Sequence, residues 1–182
     1  MAKKIDFTIQ NIVASANLNV ELDLYGIARE VDNVEYEPEQ FPGAILKLDK
    51  PKTSLLLFKN GKVICTGAKS EKDVAKAIKT AYQNIKQNVK SGKAKMEYTI
   101  VNIVASAALN VELDLYGIAR EVDNVEYEPE QFPGAILKLD KPKTSLLLFK
   151  NGKLICTGAT NENDVKKAIN KAYNLIKPNI RK

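Results

Sequence analysis

Of the side chains that do chemistry at neutral pH, histidine is missing from all 182 residues. Its absence removes the commonest general base, every Ser-His or Cys-His nucleophile pair and all imidazole metal ligands. The two cysteines, Cys65 and Cys156, each sit in the segment ICTGA, and no CxxC spacing accompanies them. In such matching contexts they read as two equivalent core residues rather than as a disulfide pair. Carboxylates do cluster: Glu35, Glu37 and Glu39 lie in EYEPEQ, and Glu126, Glu128 and Glu130 lie in a second copy of it. Neither GxGxxG nor GxxxxGK[ST] occurs, so no nucleotide-cradling loop is offered. A cysteine- or carboxylate-based hydrolase is the one enzyme these residues would allow. Without a paired nucleophile and base the expectation is no catalytic activity, no metal and no cofactor.

Partners of another kind are permitted by the charge. The net charge is +6 and the pI about 9.1, with 45% hydrophobic and 27% charged residues, a globular composition that tolerates an anionic ligand without demanding one. No apolar run reaches membrane-spanning length, and the start, MAKKIDFTIQ, lacks the apolar stretch of a signal peptide. The expectation is a soluble, intracellular protein with no membrane partner.

The chain repeats itself. Asn11 recurs as Asn102 and Phe41 as Phe132, an offset of about 91 residues, and Leu18 to Lys62 is identical to Leu109 to Lys153. Outside that segment the copies drift: Phe7 against Tyr98, Gln10 against Val101, Asn17 against Ala108. A repeat of this length is domain-sized, which predicts two units, 1–90 and 91–182, joined by the polar connector KQNVKSGKAK from Lys86 to Lys95.

Within one repeat, Ile5 to Ala16 is rich in β-branched residues and predicts a strand. In VELDLYGIAREV, the residues Leu22, Leu24, Tyr25, Ile27, Ala28 and Val31 form a helical stripe that Asn19 is placed to cap. Four strands follow, NVEYEP, GAILKLD, TSLLLF and KVICTG, separated by Pro42-Gly43, Lys50-Pro51 and Asn60-Gly61. Asn-Gly between apolar runs is a strong hairpin signal, so the last two strands are expected to be antiparallel neighbours. From Ser70 a long amphipathic helix begins, with Val74, Ala77, Ile78, Ala81, Tyr82 and Ile85 on one side and lysines opposite.

The strands hold an anomaly. A sheet covered by helices on one face alternates apolar with polar, yet Ser54 to Phe58 reads SLLLF. Strand parity sends Leu55 and Leu57 under the helices and Leu56 and Phe58 to the opposite face, with Ile64 and Thr66 outward around an inward Cys65. Asn11 and Val13 go outward around Ile12. An apolar sheet face of this size is a binding surface or the core of a homodimer. Lys47, Lys62, Lys138 and Lys153 flank it at strand ends, where an anionic backbone can meet them.

Four motifs in order and spacing carry a resemblance: QNIVAS from Gln10, EYEPEQFPG from Glu35, TSLLLF ending at Phe58, and GKVICTGAKS from Gly61. Together they resemble the TATA-box-binding proteins, of the archaeal type in particular, because both turns are acidic and no long tail precedes the repeats. The likeness runs from Ile5 to about Ile176.

That resemblance implies an α+β fold: a saddle-shaped, pseudo-twofold tandem repeat whose two halves form one continuous, curved, ten-stranded antiparallel sheet with four helices on its convex side. It implies a general transcription initiation factor that binds double-stranded TATA-box promoter DNA in the minor groove. The family is the standard instance of a wedge-induced bend of about 80°. The wedges fall on Phe41 with Phe58 and on Phe132 with Phe149. The groove-lining set falls on Asn11, Val13, Leu56, Ile64 and Thr66, with Asn102, Val104, Leu147, Ile155 and Thr157 in the second copy. Phosphate contacts fall on Lys47, Lys62, Lys138 and Lys153.

A transcription factor B homologue is the implied protein partner, received by Glu126, Glu128 and Glu130. Glu35, Glu37 and Glu39 offer the same turn again. The other reading of the apolar face is a protein-interaction or self-association module, such as a homodimer off DNA. Localisation follows as DNA-associated, in the cytoplasm of a cell without a nucleus if the source is archaeal. The identity of the copies departs from the family, in which the halves are related but divergent; recent homogenisation and deliberate symmetrisation both account for it. Identical half-surfaces are expected to bind a TATA site in either direction with nearly equal free energy.

Overall fold

The computed structural model describes residues 4–181. Two compact units divide the chain: one runs from Asn11 to Val101, the other from Asn102 onward together with the described residues up to Gln10.

In the first repeat the order is β1 (Phe7–Asn17), β2 (Val20–Leu22), α1 (Leu24–Glu30), β3 (Val34–Glu35), β4 (Ala44–Asp49), β5 (Lys52–Leu57), β6 (Lys62–Ala68), α2 (Glu71–Ile85) and β7 (Val89–Gly92), and the start of β1, up to Gln10, is counted with the other compact unit. The second repeats it as β8 (Tyr98–Ala108), β9 (Glu112–Leu113), α3 (Leu115–Glu121), β10 (Val125–Glu126), β11 (Ala135–Asp140), β12 (Lys143–Leu148), β13 (Lys153–Ala159), α4 (Glu162–Ile176) and β14 (Ile180–Arg181). Sheet order is β1-β6-β5-β4-β3 in one repeat and β8-β13-β12-β11-β10 in the other, antiparallel at each of these pairings. The class is therefore the expected α+β tandem repeat, with ten main-sheet strands, five from each repeat, two further strand pairs, β2 with β7 and β9 with β14, and four α-helices among the described residues.

Alternation decides the core. Ile12, Leu55, Leu57 and Cys65 are fully buried on the helix-facing side, as are their mates Ile103, Leu146, Leu148 and Cys156. Helix α2 covers the first set by packing on β4, β5 and β6, with Val74, Ala77, Ile78, Ala81 and Ile85 buried, and α4 packs likewise on β12 and β13. Its first turn is fixed by Ser70, whose Oγ accepts from the Asp73 amide at 3.1 Å; Asn161 does the same for α4 at 2.8 Å. Burial without a cationic neighbour pushes both thiols up to about 11, and both cysteines are free, as equivalent core residues should be.

The first helix departs from its sequence pattern in start, cap and outward face. The first helix begins later than its apolar stripe suggests, because Val20 and Leu22 belong to β2, which pairs with β7. Its cap is Asp23, whose Oδ1 accepts from the Gly26 amide at 3.1 Å, while Asn19 sits in a left-handed turn at φ 58. Tyr25, counted in the stripe, is 66% exposed and meets Tyr36 edge to face at 5.1 Å. The connector after α2 is ordered: a 3-10 turn, Lys86–Asn88, leads into β7, and the Asn88 carbonyl accepts from the Asp23 amide. No described helix is long and apolar enough to cross a membrane.

Candidate nucleic-acid interface

The opposite face of each sheet is built by the other half of the same alternation. Strand β5 carries half-buried Ser54 and Leu56 between buried Thr53, Leu55 and Leu57. Register sets Leu56 beside Ile64 and Ser54 beside Thr66. Leu56 also faces Ile45 on β4, and Ser15 on β1 faces Ile64. Asn11, Val13, Leu56, Ile64 and Thr66 are thus brought to one face, half-buried, and Asn102, Val104, Leu147, Ile155 and Thr157 to the matching one. Ser15, Ile45 and Ser54 share it, with mates Ser106, Ile136 and Ser145. Each stands at the parity of a neighbour already counted, and that signal was available in the sequence.

The asparagines are oriented by backbone. Asn11 Oδ1 accepts from the Gly67 amide at 2.7 Å, and its Nδ2 donates to Thr66 Oγ1 at 3.3 Å. Asn102 makes the same bonds to Gly158 and Thr157 at 2.7 and 3.3 Å. With its carbonyl oxygen occupied, each amide has its remaining N–H for a ligand, so it is a donor set in a field of methyls. The glycine is obligatory here. Between Ala68 and Cys65, β6 takes three steps against two on β1, a bulge that places Gly67 at φ 96 and turns its N–H onto Asn11.

Each pair of wedge candidates is in mutual contact. Phe41 and Phe58 meet edge to face at 5.8 Å, Phe132 and Phe149 at 5.9 Å. Phe41 is 38% exposed and Phe132 37%, unusual for aromatics on an otherwise well-packed unit. The acidic turn holds the first of each pair: the Glu37 carbonyl accepts from the Gln40 and Phe41 amides at 2.9 Å. The Asn60-Gly61 hairpin holds the second, with the Phe58 amide bonded to the Lys62 carbonyl at 3.0 Å. Gly43 was not anticipated. A Cβ there would stand 2.8 Å from Phe41 Cε1 and 3.2 Å from Phe58 Cε1, so the rings occupy the space a side chain would fill.

Lys62 and Lys153 are exposed beside these hairpins. Lys47 and Lys138 are exposed as well, but each has an ion-pair partner: Lys47 Nζ lies 2.9 Å from Glu35 Oε1 and Lys138 Nζ 2.8 Å from Glu126 Oε1. Two expected phosphate contacts are therefore tied to two expected docking carboxylates. Both pairs are more than half exposed, where such contacts contribute about 0–1 kcal/mol, and either member can exchange for another partner. Glu37, Glu39, Glu128 and Glu130 are exposed around the same turns.

The family model for transcription factor TFIID, or TATA-binding protein, matches twice, over residues 6–88 and 97–178. A TATA-box-binding protein of Pyrobaculum aerophilum is 44% identical over 176 residues, covering 97% of this chain and 88% of that protein. One from Methanothermobacter thermautotrophicus is 46% identical over 167 residues, 92% of each. The solved structure of Methanococcus jannaschii TBP superposes with a TM-score of 0.85 at 43% identity, covering 95% of this chain and 99% of that one. The family is one of DNA-binding transcription factors, not of enzymes. Matched by the family model in both repeats and by relatives over nearly its whole length, the chain belongs to the TATA-binding protein family.

Proposed function

We propose that this protein starts transcription by binding the minor groove of TATA-box DNA, each repeat contacting half of the site, kinking the duplex with Phe41–Phe58 and Phe132–Phe149. The observation that carries the reading is the fixed donor of Asn11 and Asn102 among methyls. An A·T pair shows only acceptors in the minor groove, so this surface satisfies it, whereas the amino group of guanine would crowd against the methyls of Val13, Leu56 and Ile64, which offer it no hydrogen bond. Phenylalanine enters an opened base step without needing a polar partner. Unstacking costs a few kcal/mol per step, least at flexible steps such as TA, and is offset by apolar burial and by lysines on phosphate.

Lys62 and Lys153 serve the backbone directly; Lys47 and Lys138 do so by exchanging carboxylate for phosphate. The acidic turn then has a second role, receiving a transcription factor B homologue through Glu128 and Glu130 with Glu126, and through Glu35, Glu37 and Glu39 in the other copy.

The test is an energy-transfer bending assay on a TATA duplex across a salt series. A bend whose population falls steeply with salt is expected, since bound lysines release counterions. Unaltered duplex mobility at low salt and about micromolar protein would remove the DNA reading. Self-association seen by sedimentation under those conditions would replace it.

A further inference from the structure

The faces of the two units agree residue by residue at Asn11/Asn102, Val13/Val104, Leu56/Leu147, Ile64/Ile155 and Thr66/Thr157, so any preference for one direction on DNA must come from where they differ. Three positions of the long first strand differ. Phe7 is replaced by Tyr98, whose hydroxyl reaches toward the Glu71 carbonyl at 3.5 Å, at the start of helix α2. Asn17 is replaced by Ala108; its Oδ1 accepts from the Asn19 amide at 2.9 Å and so serves the turn. Gln10 is replaced by Val101. Its Nε2 donates to Ser106 Oγ at 2.8 Å, and Ser106 belongs to the outer face with Asn102 and Val104. In the other unit the same place holds Val101, 48% exposed.

We infer that Gln10 is the polarity determinant of DNA recognition: the half reading through it tolerates a G·C pair, while the half presenting Val101 requires A·T. This rests on the DNA-binding reading above. The chemistry is that of the minor groove. With one amide N–H given to Ser106, Gln10 keeps Oε1 as an acceptor and a second N–H as a donor, so it can satisfy the guanine amino group as well as adenine N3 or thymine O2. The methyls of Val101 can satisfy neither, and beside them a guanine amino group is desolvated and unpaired. Symmetric A·T sites give both directions equally. A site with G·C on one side is bound with the Gln10 unit over that side.

The test uses a cleaving iron chelate on Gln131→Cys, exposed next to Phe132, with Gln40→Cys as the reciprocal label in the other unit. Cys65 and Cys156 are fully buried with thiols pushed up to about 11, so they stay unlabelled at neutral pH. The duplexes are palindromic A·T sites in which one G·C pair is walked outward from the centre on one side. At one or more positions the wild type should cut the two ends unequally, by about fivefold or more, with opposite sense for the two labels. Q10V and V101Q should each bring the ratio to about one, and N17A should leave it unchanged. Valine is already accommodated at this place in the other repeat, so Q10V is expected to fold. Equal cutting by the wild type at every position, or a bias that survives Q10V and V101Q, overturns the inference. Failure to bind even the all-A·T duplex overturns the DNA reading and this inference with it.

Discussion

The two faces of each sheet are made of nearly the same amino acids and differ in what they require of them. On β5, Leu55 and Leu57 are fully buried against α2, while Leu56 between them is half-buried on the open side. Buried positions need volume: their neighbours are other side chains at crystal-like density. Positions on the open face need a particular surface chemistry, since there is no core for them to fill. A single strand can therefore hold consecutive leucines for two different reasons.

The largest effect that sharpens this contrast is on stability. Leu57→Ala should cost about 2–5 kcal/mol in chemical denaturation, the transfer loss plus a cavity under α2. Leu56→Ala, by the same measurement, should cost about 1 kcal/mol or less but weaken binding to a TATA duplex. If the two substitutions destabilise equally, the open face is core and the contrast fails.

Next comes the polar centre of the open face. Asn102→Asp keeps an oxygen to accept from Gly158, so folding should change by less than about 1 kcal/mol, but the donor becomes a charge of the same sign as phosphate. Affinity for the TATA duplex should fall by at least tenfold, read by titration at fixed salt. An unchanged affinity would move the recognition away from the asparagines.

The third effect belongs to the buried face and is seen in its pH dependence. Both thiols are raised by burial from an ordinary 9.0 to about 11. Below about 9 they are neutral in folded and unfolded chain alike. Between about 9 and 11 the unfolded chain ionises and the folded one resists, so stability should fall as pH rises through that window. Replacing both cysteines by alanine should remove that component of the slope in denaturation curves, whereas a slope carried by lysines alone would be unaltered.

Much of this contrast is written in the sequence, because alternation in strands is strict. SLLLF with its flanking Asn-Gly hairpin places Leu56, Phe58 and Ile64 together, and repetition gives the second set. Other features depend on contacts between distant residues. Gly67 looks like a turn glycine, but its role is to carry an N–H onto Asn11, 56 residues away. Gly43 matters through the space it leaves for two rings. Tyr25 fits a helical stripe yet faces solvent, where Tyr36, just after β3, meets it edge to face. The connector looks like a linker because its strand partner, β2, carries the apolar spacing of a helix in the sequence.

The smallest effect concerns the ion pairs beside the acidic turns. Glu126, proposed as a docking carboxylate, and Lys138, proposed as a phosphate ligand, pair with each other at 2.8 Å, as Glu35 does with Lys47 at 2.9 Å. Exposed pairs of this kind contribute little, so Glu126→Gln should alter stability by about 0.5 kcal/mol or less. Its effect on the two ligands should be opposite in sign. Removing the carboxylate frees Lys138 and deletes a negative charge beside the proposed DNA path, so affinity for a TATA duplex should rise a few-fold at low salt and converge with wild type at high salt. Affinity for a factor B homologue on the preformed DNA complex should fall or stay level. Were both affinities to fall, Glu126 would be holding Lys138 in place for phosphate rather than competing for it, and the turn and the DNA face would act as one cooperative surface instead of two that share a lysine.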